Sequence, residues 1–359
     1  EGFFEGAFEM IEVFANGRKF SYWTGASVSR SIDHIAAAFS LTLVAKSESG
    51  DDVSIFPGDS VEIAVDGKKV LSGYADKLST SFSQGSRQVT VSGNEKTIDL
   101  SDCCIESPFE WENKKMDEII RSICARFDIL FDNRYNVDVG MPFKRFAVDP
   151  GSKAVDTLSK LCKERGVMPC SDGRGTVFLF TPEKAPRGPM LQQGENLVSA
   201  SVDLSLSDRF SKYTVYGTGS AKNKAIGIAN DKDVRRSRPF VLVDSNSVDK
   251  DKVQARADWE CRIREAKSMA VNASVIGWAH SGGLWEPGTV CSFVAPDLFV
   301  KSPLDLLVSS VEYSWGGDGQ VTNLTLVQPD SFLPQPEKSK ARKAAKADPW
   351  ASIKKAVQG

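Results

Sequence analysis

Hydrophobic and polar positions alternate most regularly between Trp285 and Pro329. The pattern predicts three strands there. Pro287-Gly288 makes a turn before the first, a longer strand rich in β-branched and aromatic residues runs from Leu304 to Trp315, and the turn Gly316 to Gly319 leads into the alternating strand Val321 to Val327. The same grammar occurs between Phe56 and Gly93. Pro57-Gly58 opens a strand, a second long strand ends at Phe82, and a Ser-Gln-Gly-Ser turn precedes the alternating strand Gln88 to Ser92. These two copies of one unit suggest a duplicated domain; the alternative is that any two β-meanders with Pro-Gly turns share this grammar.

The rest of the chain fits around the two copies. Asn16-Gly17 sits between the apolar runs Ala7 to Phe14 and Lys19 to Trp23. That is a hairpin signal, because both turn positions need positive φ. Ser31 to Ala38 suits a short helical turn, Phe39 to Ala45 alternates as a strand, and Thr97 to Ile105 reads as a closing strand. Residues 1–106 are therefore expected to be a β-barrel or sandwich. Beyond Pro108 the period changes. Met116, Ile119, Ile120, Ile123 and Phe127 share one helix face, and a strand follows at Ile129 to Phe131. Ala154, Leu158, Leu161 and Cys162 mark a second helix, followed by a strand at Val167 to Cys170. Aligning Lys115 with Lys153 superposes Cys124 on Cys162 and Leu130 on Met168, which reads as a helix–strand repeat or as coincidence. After the turn Ser171 to Gly175 comes the strand Thr176 to Phe180. Residues 107–194 thus read as a small α+β domain with two helix–strand units. Residues 195–332 read as a second barrel, carrying a basic mobile loop or small inserted hairpin at 217–238 and a helix at about 249–268 through Ala255, Trp259, Ile263 and Ala266. The fold class expected is mainly β with α+β parts: two similar β-barrel domains flanking a small α+β domain, plus a basic tail.

Charge changes that picture at the end of the chain. The 359 residues carry a formal charge of −2, but 333–359 hold seven Lys/Arg against Glu337 and Asp348, which leaves −7 on the body. The tail has too few apolar residues for a core. Trp350, Ile353 and Val357, beside Lys354 and Lys355, would form one helix face suited to docking on an acidic partner. The expectation is a flexible tail that helps bind another protein. The near-neutral total argues against a dedicated nucleic-acid binder, and no apolar run reaches the length of a membrane span. Seven irregularly spaced Cys read as reduced thiols without disulfides. Adjacent Cys103 and Cys104, if on a strand, would point to opposite faces, one buried and one exposed.

Little in the sequence points to catalysis. His34 and His280 have no metal-ligand spacing between them. Glu110 with Glu112, or Asp51-Asp52, would be an acid pair for glycoside hydrolysis, but exposed loop acids are the plainer reading. Gly173-Arg174-Gly175 is a hairpin turn rather than a phosphate cradle. The basic loop around Arg235-Arg236 lacks the interleaved aromatics of a single-strand-binding surface. No cofactor, metal or catalytic residue is assigned.

The order of these patterns carries a resemblance. The barrel starts as SVSRSIDHIAAAFSLTLVAK and continues with PGDSVEI and DGKKVLSGYADKL; it ends as VTVSGNEKTIDLSDCCI, and the middle domain contains KAVDTLSKLCKERGVMPCSDGRGTVFLF. Over about residues 5–332 this is similar to the central hub proteins of contractile phage-tail baseplates, specifically the tail proteins of Mu-like phages and prophages. It is similar in plan to the hub part of type VI secretion spike proteins. The resemblance implies a structural, non-enzymatic homotrimer, assembled in the bacterial cytoplasm into the virion tail. Its two tube-forming barrels per chain would make a ring of six, joining a six-fold tail tube to a three-fold spike. Pro57, Gly58, Phe82, Pro287, Gly288 and Trp315 would then be repeat turns and ring contacts. The expected partners are the tube protein, a separate spike protein and other baseplate proteins, with DNA passing through a central channel without specific binding. Two rival readings are a tail-associated peptidoglycan hydrolase and an OB-like nucleic-acid-binding module.

Overall fold

A computed structural model describes residues 11–20, 23–46, 55–84, 86–218, 225–244, 249–317 and 319–335. β1 (Ile11–Ala15) and β2 (Arg18–Phe20) flank the Asn16-Gly17 turn, whose φ angles are 48 and 75. β3 (Gly25–Ser31), β4 (Ala38–Lys46), β5 (Ser60–Val65), β6 (Lys68–Ser83) and β7 (Ser86–Glu95) follow. They lie in the order β3-β4-β7-β6-β5-β1-β2, every pair antiparallel. Alternate residues point inward. Val28, Phe39, Leu41, Leu43, Val61, Ile63, Val89 and Val91 are all buried in one core. Burying each such side chain contributes roughly 1.5–3 kcal/mol, which holds the strands in this parity.

The expected closing strand at Thr97 to Ile105 is instead a 3-10 turn at Lys96–Ile98 and the short helix α1 (Asp99–Asp102). Asp99, Ser101 and Asp102 interrupt the apolar alternation, and such residues favour local backbone bonds over a ladder. Thr97 turns inward and donates to the Ile35 carbonyl at 2.7 Å. Cys103 and Cys104 follow the helix and are both exposed, not one in and one out. Ile32 to Ala37, expected as a helical turn, contains bends and no helix.

The middle region contains β8 (Glu110–Lys114), α2 (Met116–Cys124), β9 (Leu130–Asp132), β10 (Phe143–Ala147), α3 (Ala154–Lys163), β11 (Met168–Ser171) and β12 (Thr176–Phe180). The helix–strand units are alike at backbone level. Lys115 and Lys153 are the N-caps. Ile129 and Val167 each donate 3.1 Å bonds, to the Cys124 and Cys162 carbonyls. Asp128 and Gly166 both adopt positive φ, 52 and 65, between helix and strand. β12 is central, antiparallel to β11 and parallel to β9. Ile119, Ile120, Ile123, Leu158 and Leu161 form the core beneath, with Cys124 and Cys162 fully buried among them. All seven cysteines are free, and burial pushes the Cys124 and Cys162 thiols up to about 12.

The last third begins with β13 (Leu191–Gln192), β14 (Leu197–Leu204), β15 (Lys212–Gly217), β16 (Ile226–Asn230), β17 (Pro239–Asp244) and α4 (Lys250–Lys267). β18 (Met269–Ile276), β19 (Ala279–His280), β20 (Gly283–Leu284), β21 (Val290–Ala295), β22 (Val300–Gly316) and β23 (Gly319–Val327) complete it. Of the two expectations for 217–238, a loop or a small inserted hairpin, the second holds: β16 pairs antiparallel with β15, in a three-stranded sheet β16-β15-β17. Tyr213, Val215 and Ala229 pack there against Val253 and Ala257 of α4. At the entrance to this module Arg209 is buried with Asp231, its Nη2 3.2 Å from Asp231 Oδ1.

β14, β18, β23, β22 and β21 repeat the order of β3, β4, β7, β6 and β5. Their registers repeat as well. Leu78↔Val91, Phe82↔Arg87 and Ser83↔Ser86 in the first unit correspond to Val311↔Leu324, Trp315↔Gln320 and Gly316↔Gly319 in the second. Leu41↔Val91 corresponds to Ala273↔Leu324, and Val28↔Phe39 to Val202↔Val271. A register shift lies between Ala75 and Lys77 in one unit and between Val308 and Ser310 in the other. Pro57-Gly58 and Pro287-Gly288 occupy the same place. Gly58 N donates to Ala75 O at 2.7 Å, and Gly288 N to Val308 O at 2.8 Å. Among the described residues neither unit closes into a barrel. β3 pairs with β22 instead, so both units belong to one 13-stranded sheet.

Candidate functional site

Among the described residues no group of three or more His, Cys, Asp or Glu is placed to hold a metal ion. Glu110, the candidate acid, begins β8 and faces Arg145 of β10, with Nη2 to Oε2 at 3.0 Å. Its bond to Arg145 lowers its pKa, opposite to what a general acid requires. Glu112 is exposed on the same strand. His34 lines a cleft of about 630 Å³ at the β3–β22 seam together with Arg30, Asn94 and Glu312. His280 packs on Trp285 in a tilted arrangement, ring centroids 4.7 Å apart and planes at 55°. Burial lowers its pKa, and its Nδ1 accepts from the Gly282 amide at 3.0 Å. Of the basic loop, Arg235 and Arg236 are exposed. Arg238 is committed to the Leu206 and Ser207 carbonyls, both at 2.7 Å.

The unexpected feature is a buried polar junction where three parts of the chain meet. Arg30 of β3 and Glu95 at the end of β7 point inward and are 6% and 0% exposed. The turn Ser171 to Gly175 docks between them. Glu95 accepts hydrogen bonds from the Ala37 amide (3.1 Å), the Gly175 amide (2.9 Å) and the Ser171 hydroxyl. Burial raises its pKa, opposed by those bonds and by Arg30. Asp172 accepts from the amides of Arg174 (2.9 Å) and Thr176 (3.2 Å) and from Arg134 Nη2 (3.1 Å). Its burial would raise its pKa, but these partners outweigh it and leave it below the ordinary value. Arg30 Nη1 lies 3.6 Å from Glu286, which precedes β21. Ser72 N donates to Gly173 O at 2.9 Å. The first unit, the middle region and the second unit are thereby fixed to one another by desolvated polar groups; Glu95 and Asp172 are hydrogen-bonded, whereas Arg30 Nε is buried without a hydrogen-bond partner among the described residues. Such a cluster rigidifies; it presents no nucleophile to solvent.

The surfaces left open suit assembly. β6 pairs with β5 only as far as Tyr74. Ala75 still bonds to Gly58 and Asp59; beyond Ala75 no described residue pairs with the edge of β6 opposite β7, and Phe82 there is 92% exposed. Trp315, its counterpart, is half-buried against the main core because β3 covers that edge of β22. β14 is the edge strand at one end of the large sheet, with Val198 and Leu204 exposed. Pro57 and Gly58 are exposed, Pro287 is half-buried, and Gly288 is buried against Phe180. Trp350, Ile353, Lys354, Lys355 and Val357 lie outside the described residues.

Sequence and fold comparisons agree with this arrangement. Family models match residues 10–95 (Mu phage baseplate assembly protein GpP-like, N-terminal), 97–181 (baseplate hub protein gp44-like, second domain) and 249–335 (Mu phage baseplate assembly protein GpP, fourth domain). The chain is 31% identical over 342 residues to the baseplate hub protein gp44 of Escherichia phage Mu, covering 90% of this chain and 89% of that one. A 43 kDa tail protein of prophage MuSo2 from Shewanella oneidensis superposes with a TM-score of 0.80 at 27% identity, covering 91% of this chain and 99% of that one. A type VI secretion component of E. coli shares the fold at 11% identity, with a TM-score of 0.52 over 92% of this chain and 79% of that one. This chain belongs to the Mu gp44 family of phage-tail baseplate hub proteins.

Proposed function

We propose that three copies of this baseplate hub protein close into a ring whose six meander units, two per chain, form two similar tube-forming barrel domains in each protomer. One observation carries the reading: a single chain contains two five-stranded units of the same strand order and register. Three chains then present six like surfaces, which is what a six-fold tube and a three-fold spike require at their junction. Heterologous contacts that satisfy a rotation close into rings. In this reading residues 1–106 and 195–332 are the two barrel domains, 107–194 the clamp between them, and 333–359 the basic tail. Pro57-Gly58 and Pro287-Gly288 end strand pairing at equivalent places, and Phe82 and Trp315 mark equivalent hairpin ends around the annulus. The ring joins the tail-tube protein on one side and a separate spike protein on the other, within the virion baseplate. Its role is structural, without catalysis. The −7 body suits a channel that lets DNA pass, since a basic lumen would hold phosphate. Trp350, Ile353 and Val357, with Lys354 and Lys355, dock on an acidic neighbour in the baseplate. Light scattering at micromolar concentration should give three times the 39.1 kDa chain mass. A stable monomer would overturn the reading.

A further inference from the structure

The fold contains one pairing between its two units and the exposed halves of a second. Within the chain, β3 lies antiparallel to the far half of β22: Val311↔Arg30, Glu312↔Ser29, Tyr313↔Val28, Ser314↔Ser27 and Trp315↔Ala26. β3 is the first strand of the first unit, and β22 is the long strand of the second. Their counterparts are β14, the first strand of the second unit, and β6, the long strand of the first. Among the described residues, the edge of β14 away from β18 is bridged only at Leu197, to Gln193, and from Val198 to Leu204 it has no strand partner; neither has the edge of β6 beyond Ala75. We propose that β14 of one protomer pairs with the far half of β6 in the next copy of this chain, in the register that β3 and β22 already show. This rests on the ring reading above and names the strands that close it.

Equivalent positions fix the pairs. Val28↔Phe39 matches Val202↔Val271, which sets β14 on β3, and Leu78↔Val91 matches Val311↔Leu324, which sets β6 on β22. Carrying the internal ladder across places Leu78 opposite Leu204, Ser79 opposite Asp203, Thr80 opposite Val202, Ser81 opposite Ser201 and Phe82 opposite Ala200. Side-chain parity agrees throughout. Leu78, Ala200 and Val202 already pack partly on the main core, as Trp315 does. The apolar pair Leu78–Leu204 and the ring of Phe82 therefore fall on the inward face, while Ser79, Ser81, Ser201 and Asp203 fall on the other. Lys77 and Asp203 become diagonal neighbours of opposite charge on that outer face. Exposure agrees as well: Phe82 is 92% and Leu204 37% exposed, whereas Val28 and Tyr313 in the internal ladder are 0% exposed. An unpaired edge of this length invites strand addition.

Paired cysteines test the register. The full chain would carry Cys103→Ser and Cys104→Ser, which remove the two exposed thiols. Into it go Leu78→Cys with Leu204→Cys, or Thr80→Cys with Val202→Cys. Directly opposed residues have Cα atoms about 4.5–5.5 Å apart, within disulfide reach. Leu78→Cys with Val202→Cys, a diagonal pair about 7–8 Å apart, is the off-register control. Mild oxidation should give covalent dimers and trimers for at least one in-register pair and leave the control as single chains on a non-reducing gel. Hydrogen exchange on the unmodified protein covers the case of a misfolded variant: amides in 78–82 and 200–204 should be protected in the trimer. A species of trimer mass in which these amides exchange as fast as exposed loops would overturn this inference and leave the ring intact. So would cross-linking only in the control, or a disulfide closed within one chain. A monomer at all concentrations would overturn the ring itself.

Discussion

Replacing Gly173 with Ala tests the junction between the middle region and the first unit. Gly173 has a φ of +79, in the left-handed region, where an L residue costs roughly 1–2 kcal/mol. Its new Cβ would lie 2.6 Å from the Val70 carbonyl oxygen and 2.9 Å from Arg30 Nε. The carbonyl belongs to β6 and cannot swing away, so the turn has to withdraw and stretch the Ser72–Gly173 hydrogen bond. Overpacking of this kind costs about 1–3 kcal/mol, so the whole change is roughly 2–5 kcal/mol. Gly58→Ala is the reference. Its φ is +97, but nothing lies within 4 Å of the added atom, so it carries the backbone cost alone. Urea unfolding of both variants at one protein concentration should place Gly173→Ala below Gly58→Ala by the equivalent of about 1–3 kcal/mol. Equal midpoints would show that the turn yields freely and would refute the claim that the junction is rigid.

Two further outcomes follow from buried charge. Glu95 has a folded pKa above the ordinary 4.5, so the folded chain holds its proton more tightly than the unfolded chain; its contribution to stability should fall as pH rises from 4.5 toward the raised value. Glu95→Gln should remove that slope in pH-dependent denaturation and cost roughly 1–3 kcal/mol, because its amide must face one of the donors the carboxylate now accepts. Asp231→Ala strands the Arg209 guanidinium, which is 1% exposed; a loss of roughly 3–5 kcal/mol is expected, near the lower end because Asp233 remains 3.4 Å away. Hydrogen exchange should show the loss concentrated in β15, β16, β17 and α4.

Local chemistry made much of this architecture legible in the sequence. The Pro-Gly turns, the long strands ending at Phe82 and Trp315 and the span of α4 are short-range patterns; α4 runs from Lys250 to Lys267, but it buries Val253, Ala257, Glu260 and Ala266, so of the expected face Ala255, Trp259, Ile263 and Ala266 only the last is buried. Single-residue shifts at β9 and β11 reflect how element ends fray. Thr97 to Ile105 departs from the expected strand because Ile98 and Leu100, interrupted by Asp99, Ser101 and Asp102, carry too little alternation to separate a strand from a turn. The charge of 217–238 leaves a loop and a small hairpin both open in the sequence; β16 forms the hairpin with β15, and Arg238 bonds to backbone carbonyls. The junction depends on partners far apart in sequence, such as Glu95 with Gly175 and Arg30 with Glu286, which no local pattern shows. It did leave a trace: Arg30 continues the inward parity of Ala26 and Val28, and Glu95 that of Val89 and Val91. A charge at an inward strand position has to be answered by something, and here the Ser171–Gly175 turn and Glu286 answer it.

The α4 module enters and leaves the second unit at one point. Ser205 N donates to Ser268 O at 2.8 Å, closing the gap between β14 and β18, where the first unit needs only Ile32 to Ala37 between β3 and β4. Chain ends held this close let a segment be lengthened, shortened or exchanged without moving the strands beside it. The fold therefore has a socket. Different cargo can be spliced between Leu204 and Met269 over evolutionary time, or by design, while the ten meander strands keep their register.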